Sequence, residues 1–397
     1  RTTAIGKGAL NVQNFTSATN TYNTAVGYNA GTAVTTGTLN TLIGGLAGDA
    51  TTTASNNVAV GYLALSDNTT GANNTAVGTS ALENNTTADN NVAFGMSALY
   101  ANTTGTTNTA LGRQALAANT TANSNTAVGY QAATSNTTGA NNVAIGYVAM
   151  EDNTAGANNV AIGYQALPNN TTANSNTAIG YRSMLTNTTG FSNTAVGNES
   201  LRSNTDGDYN VAFGEFALYD NSTGGQNTAL GSYALANNTT AGNNVAVGYS
   251  ALELTTTGAD NTGSENVYLG TRAGDAGTVG SYNIAIGADA LTVETQGSRS
   301  VAIGRRTLYA QNNTSATDVY NTAVGFEAGN DITTGAYNTL IGGLAGDAIT
   351  TANNNTALGY AALSTATTGT QNVAVGQSAA LSVITGGQNT AVGTATL

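Results

Sequence analysis

Carboxylates are the side chains in this 397-residue chain best suited to act as general bases or hard-cation ligands near neutral pH: there are 21 Asp and Glu, and no histidine or cysteine. The missing imidazole and thiol remove the commonest general base, the commonest metal ligand and the thiolate nucleophile. Many of the acids, among them Asp67, Glu83, Glu151, Asp152, Asp220 and Glu253, fall at two variable turn positions. There they read as solvated charge that keeps the chain soluble and discourages association. A calcium-binding nonapeptide solenoid needs a dense Asp and Gly pattern that is not sustained here, and a metal at the Gly274-Asp275-Ala276-Gly277 bend has little support. No catalytic residue, metal site or cofactor is expected, and the chain reads as a non-enzyme.

What repeats is uncharged. Glycine recurs at Gly61, Gly78, Gly95, Gly112, Gly129, Gly146, Gly163 and Gly180, and 19 of the 22 intervals between the 23 such glycines of the chain are 17 residues. Four places before the glycine stands Asn in 21 of the 23 units, as at Asn57, Asn74, Asn91, Asn108, Asn125, Asn142, Asn159, Asn176, Asn193, Asn210, Asn227 and Asn244; Thr2 and Ser300 are the exceptions. A strict short period means one supersecondary unit stacked on its own copies, so function belongs to a repeated surface. Stacked amides can bond from unit to unit along the axis, and the glycine supplies a conformation or close approach closed to a side chain. Both columns are read as structural.

The elements that hold these columns must be short. Each unit has two apolar stretches, as in Asn-Val-Ala-Ile-Gly and the following Tyr-x-Ala-Leu, separated by polar turns, and neither reaches the roughly 10 to 12 residues of a stable helix. The expected fold is all-β: a parallel β-solenoid of about 23 coils with strands of four to five residues, growing by about 4.8 Å per coil to a rod of roughly 110 Å. Charged residues make up only 8% of the chain, proline occurs once (Pro168), and 40% of residues are apolar. That is too apolar and too periodic for a disordered tract. One elongated domain over 1–397 is the expected count.

A longer repeat overlies the short one. Asn40 to Ala50 recurs letter for letter as Asn338 to Ala348, and Thr16-Ser17-Ala18-Thr19 recurs as Thr314-Ser315-Ala316-Thr317, both at an offset of 298, so the block 27–324 restarts at 325. The chain begins and ends inside a unit, which reads as a segment of something longer. Three intervals exceed the period, Gly6 to Gly27, Gly248 to Gly270 and Gly304 to Gly325. Extra residues in a solenoid are extruded as loops, where binding often sits, although tolerated surface variation is the plainer reading.

Strand alternation puts Val58 and Val60 on one side and Ala59 on the other. Taking the alanine side as the outer one, an apolar outer face points to cover by another chain; alanine is also tolerated in water, so a single-chain rod stays open. Thr69, Thr86, Thr103, Thr120 and Thr137 of the Asn-Thr-Thr turns, and Tyr130, Tyr147, Tyr164 and Tyr181 on four consecutive coils, are the candidate surface contacts. The turn motif also reads as a glycosylation acceptor, the threonine columns as an ice-binding array, and the tyrosines as either a self-stacking column or a carbohydrate stripe. The net charge of −12 argues against nucleic acid, and no apolar run has membrane length. The lack of cysteine slightly favours an exported bacterial protein.

The phrase Asn-Val-Ala-Ile-Gly-x-x-Ala, at Asn142 to Ala149 and Asn159 to Ala166, resembles the head repeat of trimeric autotransporter adhesins. With Tyr-Gln-Ala-Leu and the polar turn, as in Asn159 to Asn170, it is similar to repeats of bacterial and phage tail-fibre-like proteins. The resemblance covers nearly the whole chain, although the adhesin unit is shorter than 17. It implies a left-handed β-roll, a homo-oligomer with a trimer favoured, or a filament. It also implies an extracellular place on a bacterial surface or phage fibre, and a host-surface, matrix or glycan ligand. A ligand-free filament or tail-fibre shaft, and an ice-binding solenoid, are the alternatives.

Overall fold

The computed structural model describes residues 1–15, 19–253 and 262–396. Thr16 to Ala18 of the duplicated segment and most of the extra residues between Gly248 and Gly270 lie outside the described residues. The chain divides into two compact units, Arg1–Asn193 and Thr194–Leu397. Each is a parallel β-solenoid with a 17-residue coil, and the described residues contain no helix.

In the first unit, the described residues form eleven three-residue strands, from β1 (Thr3–Ile5) through β9 (Val143–Ile145) and β10 (Val160–Ile162) to β11 (Thr177–Ile179). Each strand pairs in parallel with the next in chain order and in register, as with Val143 on Val160, Ala144 on Ala161 and Ile145 on Ile162. In the second unit the main sheet runs from β12 (Thr194–Val196) to β25 (Thr390–Val392). Beside it, β18 (Gly297–Ser298) pairs with β20 (Thr317–Asp318). Extra residues leave the register intact, since Thr3 still pairs with Thr24, Val245 with Val267 and Val301 with Thr322.

The strands are shorter than the sequence pattern predicts, and the second apolar stretch is not a strand. Leu63 and Leu65 both take left-handed φ, 57° and 56°, so the chain cannot extend between them. Their N–H groups nevertheless serve opposite neighbours: Leu63 donates to the Gly45 carbonyl of the coil before (3.1 Å) and Leu65 to the Ala81 carbonyl of the coil after (2.9 Å). This wall therefore satisfies its backbone between coils without becoming a strand.

The facing of the strands corrects the sequence reading. Ala59, Ala93 and Ala144 have no exposed surface, whereas Phe94 is 53% and Leu111 46% exposed. Alanine is the inner residue because a 17-residue coil has a narrow interior, already occupied by Leu65, Leu82, Leu99 and Leu116 of the opposite wall. Only a small side chain fits between them at close-packed density.

Where a larger residue does enter the strand centre, glycine replaces leucine opposite. A Cβ on Gly31 would lie 2.6 Å, and one on Gly48 2.8 Å, from the Leu42 methyls. The arrangement recurs with Gly329 and Gly346 around Leu340. Gly48 has φ 55° and Leu65 has φ 56°, so space, not backbone conformation, requires the glycine. Gly48→Leu is expected to cost about 2 to 3 kcal/mol by overpacking. Combining it with Leu42→Ala should recover most of the loss, and purely additive effects in a double-mutant denaturation cycle would contradict this account.

Candidate interaction surfaces

The columns divide into those consumed by the fold and those left on its surface. The twelve asparagines from Asn57 to Asn244 are at most 1% exposed. Asn91 shows the bonding: its N–H donates to Asn74 Oδ1, its Nδ2 to the Gly105 carbonyl, and its Oδ1 accepts from the Asn108 N–H, each at 2.9 Å. Asn91 thus bridges two coils and braces the turn, and Asn74, Asn108 and Asn125 repeat the pattern. The eight glycines from Gly61 to Gly180 hold φ between 132° and 142°, a region closed to other residues.

The asparagines of the Asn-Thr-Thr turns form a second buried ladder. Asn85 Nδ2 donates to Asn68 Oδ1 (2.9 Å) and to the Ala88 carbonyl (3.0 Å). The nitrogen that glycosylation would need is therefore engaged inside the fold. Of the threonines that follow, Thr69, Thr86, Thr103, Thr120 and Thr137 turn their hydroxyls into the chain, each donating to a carbonyl of the next coil, as Thr69 does to Thr86 (3.0 Å). The protons of those hydroxyls are spent on coil stacking, which leaves their lone pairs for water.

Tyr130, Tyr147, Tyr164 and Tyr181 form one stack, with successive ring centroids 5.3, 5.3 and 5.4 Å apart. Guanidinium groups cap it at both ends, Arg113 5.6 Å from the Tyr130 centroid and Arg182 5.1 Å from that of Tyr181. With ring faces turned on each other and on arginine, the column presents edges and hydroxyls outward. A sugar stacking on an inner ring would have to displace its neighbour.

The surface left over is the outer strand face. In the first unit it shows Ile43, Val92, Phe94, Leu111 and Ile145, and in the second Phe213, Leu230, Ile286, Ile341 and Leu358, each more than a third exposed. In-register pairing aligns them from coil to coil into an apolar stripe within each unit.

Carboxylates lie mostly in half-buried or exposed turns, including Asp67, Glu83, Glu151, Asp152, Asp220 and Glu253. Burial, and then Asp152, hold the Glu151 carboxyl above its ordinary range. Among the described residues no group of three or more acids is placed to hold a metal. At the Gly274 bend, Asp275 is pushed up to about 6 by burial, then by Glu253, with Arg272 opposing and Asp289 adding to the rise. Its folded-state value exceeds the ordinary 3.8, so the native chain holds a proton that the unfolded chain has released as pH rises from about 4 to 6. Stability is therefore lost across that window. Asp275→Asn is expected to raise the melting temperature at pH 7 and leave it unchanged below pH 4, and a gain of equal size at both pH values would refute this.

One buried acid escaped the sequence reading. Glu294 is 2% exposed and accepts from Gly297 N–H (2.7 Å), Gln311 Nε2 (2.8 Å) and Asn313 Nδ2 (2.8 Å). Gln311 also donates to Ser300 Oγ and accepts from Asn321 Nδ2. Glu294 and Gln311 stand where the turn asparagine belongs, and Ser300 interrupts the other column, so the larger amide bridges the gap left by the smaller residue. The signal available was that both columns break within adjacent coils.

No family model matches this chain, and no curated protein is similar to it in sequence.

Proposed function

We propose that this β-solenoid repeat chain is a segment of an extracellular structural fibre or adhesin whose copies associate side by side, three together, through the outer strand face. The association rests on one observation, the apolar stripe of Val, Ile, Leu and Phe that recurs on coil after coil in each unit. Contiguous apolar patches beyond a few hundred Å² are uncommon on monomers and mark interfaces. A cyclic assembly about an axis parallel to the stack sets each coil beside its own equivalent, so the stripes meet level by level without offset. The number three rests on the likeness to adhesin head repeats. The reading that alanines form the contact is replaced: the contact belongs to the larger residues on either side of them.

Function in such an assembly is mechanical and multivalent. Repeated backbone pairing supplies stiffness, while exposed turns, repeated on every coil, turn weak single contacts into avidity. Light scattering of the purified segment should give three times the 39.3 kDa chain mass. A monomer would remove the basis for association. Phe94→Glu with Phe213→Glu is expected to dissociate the assembly while retaining its circular dichroism. Binding to cells and glycan surfaces then separates the adhesin from a ligand-free shaft.

A further inference from the structure

The second unit carries a cleft that the repeated surfaces do not explain. Residues 202, 219, 236 and 253 follow one another at the 17-residue period, and on successive coils they read Arg202, Tyr219, Ala236 and Glu253. Alanine in third place leaves a gap between the tyrosine and the glutamate, which are two coil spacings or roughly 10 Å apart. The result is a cavity of about 270 Å³ lined by Phe216, Tyr219, Asp220, Tyr233, Asn237 and Glu253, with Ala236 as its floor.

The lining defines the ligand. Phe216 meets Tyr219 edge-on at 5.4 Å and lies 5.1 Å from Tyr233, so three aromatic rings gather on one side. Asp220 and Glu253 add negative charge, and among the described residues no basic side chain lines the cavity. Aromatic rings with carboxylates attract an organic cation, and the net charge of −12 favours its approach. The chain also displays the interaction itself. Arg202, from the coil before, sets its guanidinium 5.2 Å from the Tyr219 centroid and donates from Nη1 to the Tyr219 hydroxyl at 2.7 Å. Ala236, from the coil after, puts only a methyl group at the corresponding place.

We propose that the cleft over Ala236 is a binding site for a guanidinium-type organic cation, held between Tyr219 and Glu253 as Arg202 is held on the preceding coil. This does not depend on how copies of the chain associate. The site is shallow, so an affinity in about the millimolar range is expected for a single group.

Titration with N-butylguanidinium, followed by saturation-transfer NMR and calorimetry, tests the assignment against N-butylurea, which has a similar shape but no charge. Saturable binding at least about ten-fold tighter than that of the urea is expected. Glu253→Gln should weaken it about three- to five-fold, and Ala236→Leu, which fills the cleft, should abolish it. Glu253 is half-buried and Gln matches its shape, so its variant reports on binding even if the leucine disturbs packing. A Gly-Arg-Gly peptide that competes would assign the site to protein arginines, and binding confined to the free alkylguanidinium would assign it to a small metabolite. Equal binding of the urea, absence of saturation, or indifference to Glu253→Gln would overturn the proposal.

Discussion

Gly78→Ala is expected to cost about 3 to 5 kcal/mol and to split the cooperative unfolding of the first unit. Gly78 holds φ 132°, where a side chain is strained by about 1 to 3 kcal/mol. The new Cβ would also lie 2.6 Å from the Gly95 carbonyl oxygen and 2.7 Å from its carbon, and backbone of the next coil cannot rotate aside as a side chain could. Relief requires the two coils to part where Gly95 N–H donates to the Val77 carbonyl at 2.8 Å. Solenoid stability is a sum of coils and of interfaces between neighbours, so one weakened interface divides the stack. Gly45→Ala is the control: its Cβ would meet only the Tyr62 ring, at 3.5 Å, and little change is expected. Calorimetry that found the two variants melting alike would refute the close-approach argument.

Asn91→Ala is expected to destabilise the same unit by about 2 kcal/mol. The Asn108 N–H loses its partner inside the fold, at a cost of about 1 to 3 kcal/mol, while the Gly105 carbonyl loses one of its two donors and keeps Asn102 Nδ2 at 3.0 Å. The loss should be local in exchange measurements, with the Asn108 amide losing protection ahead of amides several coils away. A variant with unchanged stability would show that water enters and replaces the amide, and that the ladder contributes little. Thr70→Ala, on an exposed turn, should have almost no effect and sets the scale for a surface change.

Both predictions draw on columns that the sequence makes visible. A period of 17 states which residues are neighbours in space, so the parallel pairing, the amide ladder at Asn57 and its equivalents, and the stack from Tyr130 to Tyr181 could be written down before any coordinates. The same rule located the unbroken register across the long intervals at Gly27 and Gly325. Exceptions to the columns carried information as well, since Ser300 marked the coil where Glu294 and Gln311 rearrange the buried bonds.

What the amino-acid order determined by itself is adjacency along the stack, because identical residues at equal spacing can only lie above one another. What tertiary structure decided is direction within each coil. Both sides of the strand at Val58, Ala59 and Val60 are apolar, so hydrophobicity could not choose which faces inward, and the volume left by Leu65 and its equivalents made the choice. The left-handed turns at Leu63 and Leu65, the space that demands glycine beside Leu42, and the cleft over Ala236 have the same origin. Each depends on what a neighbouring wall or coil leaves unfilled, and unfilled space has no letter in the sequence.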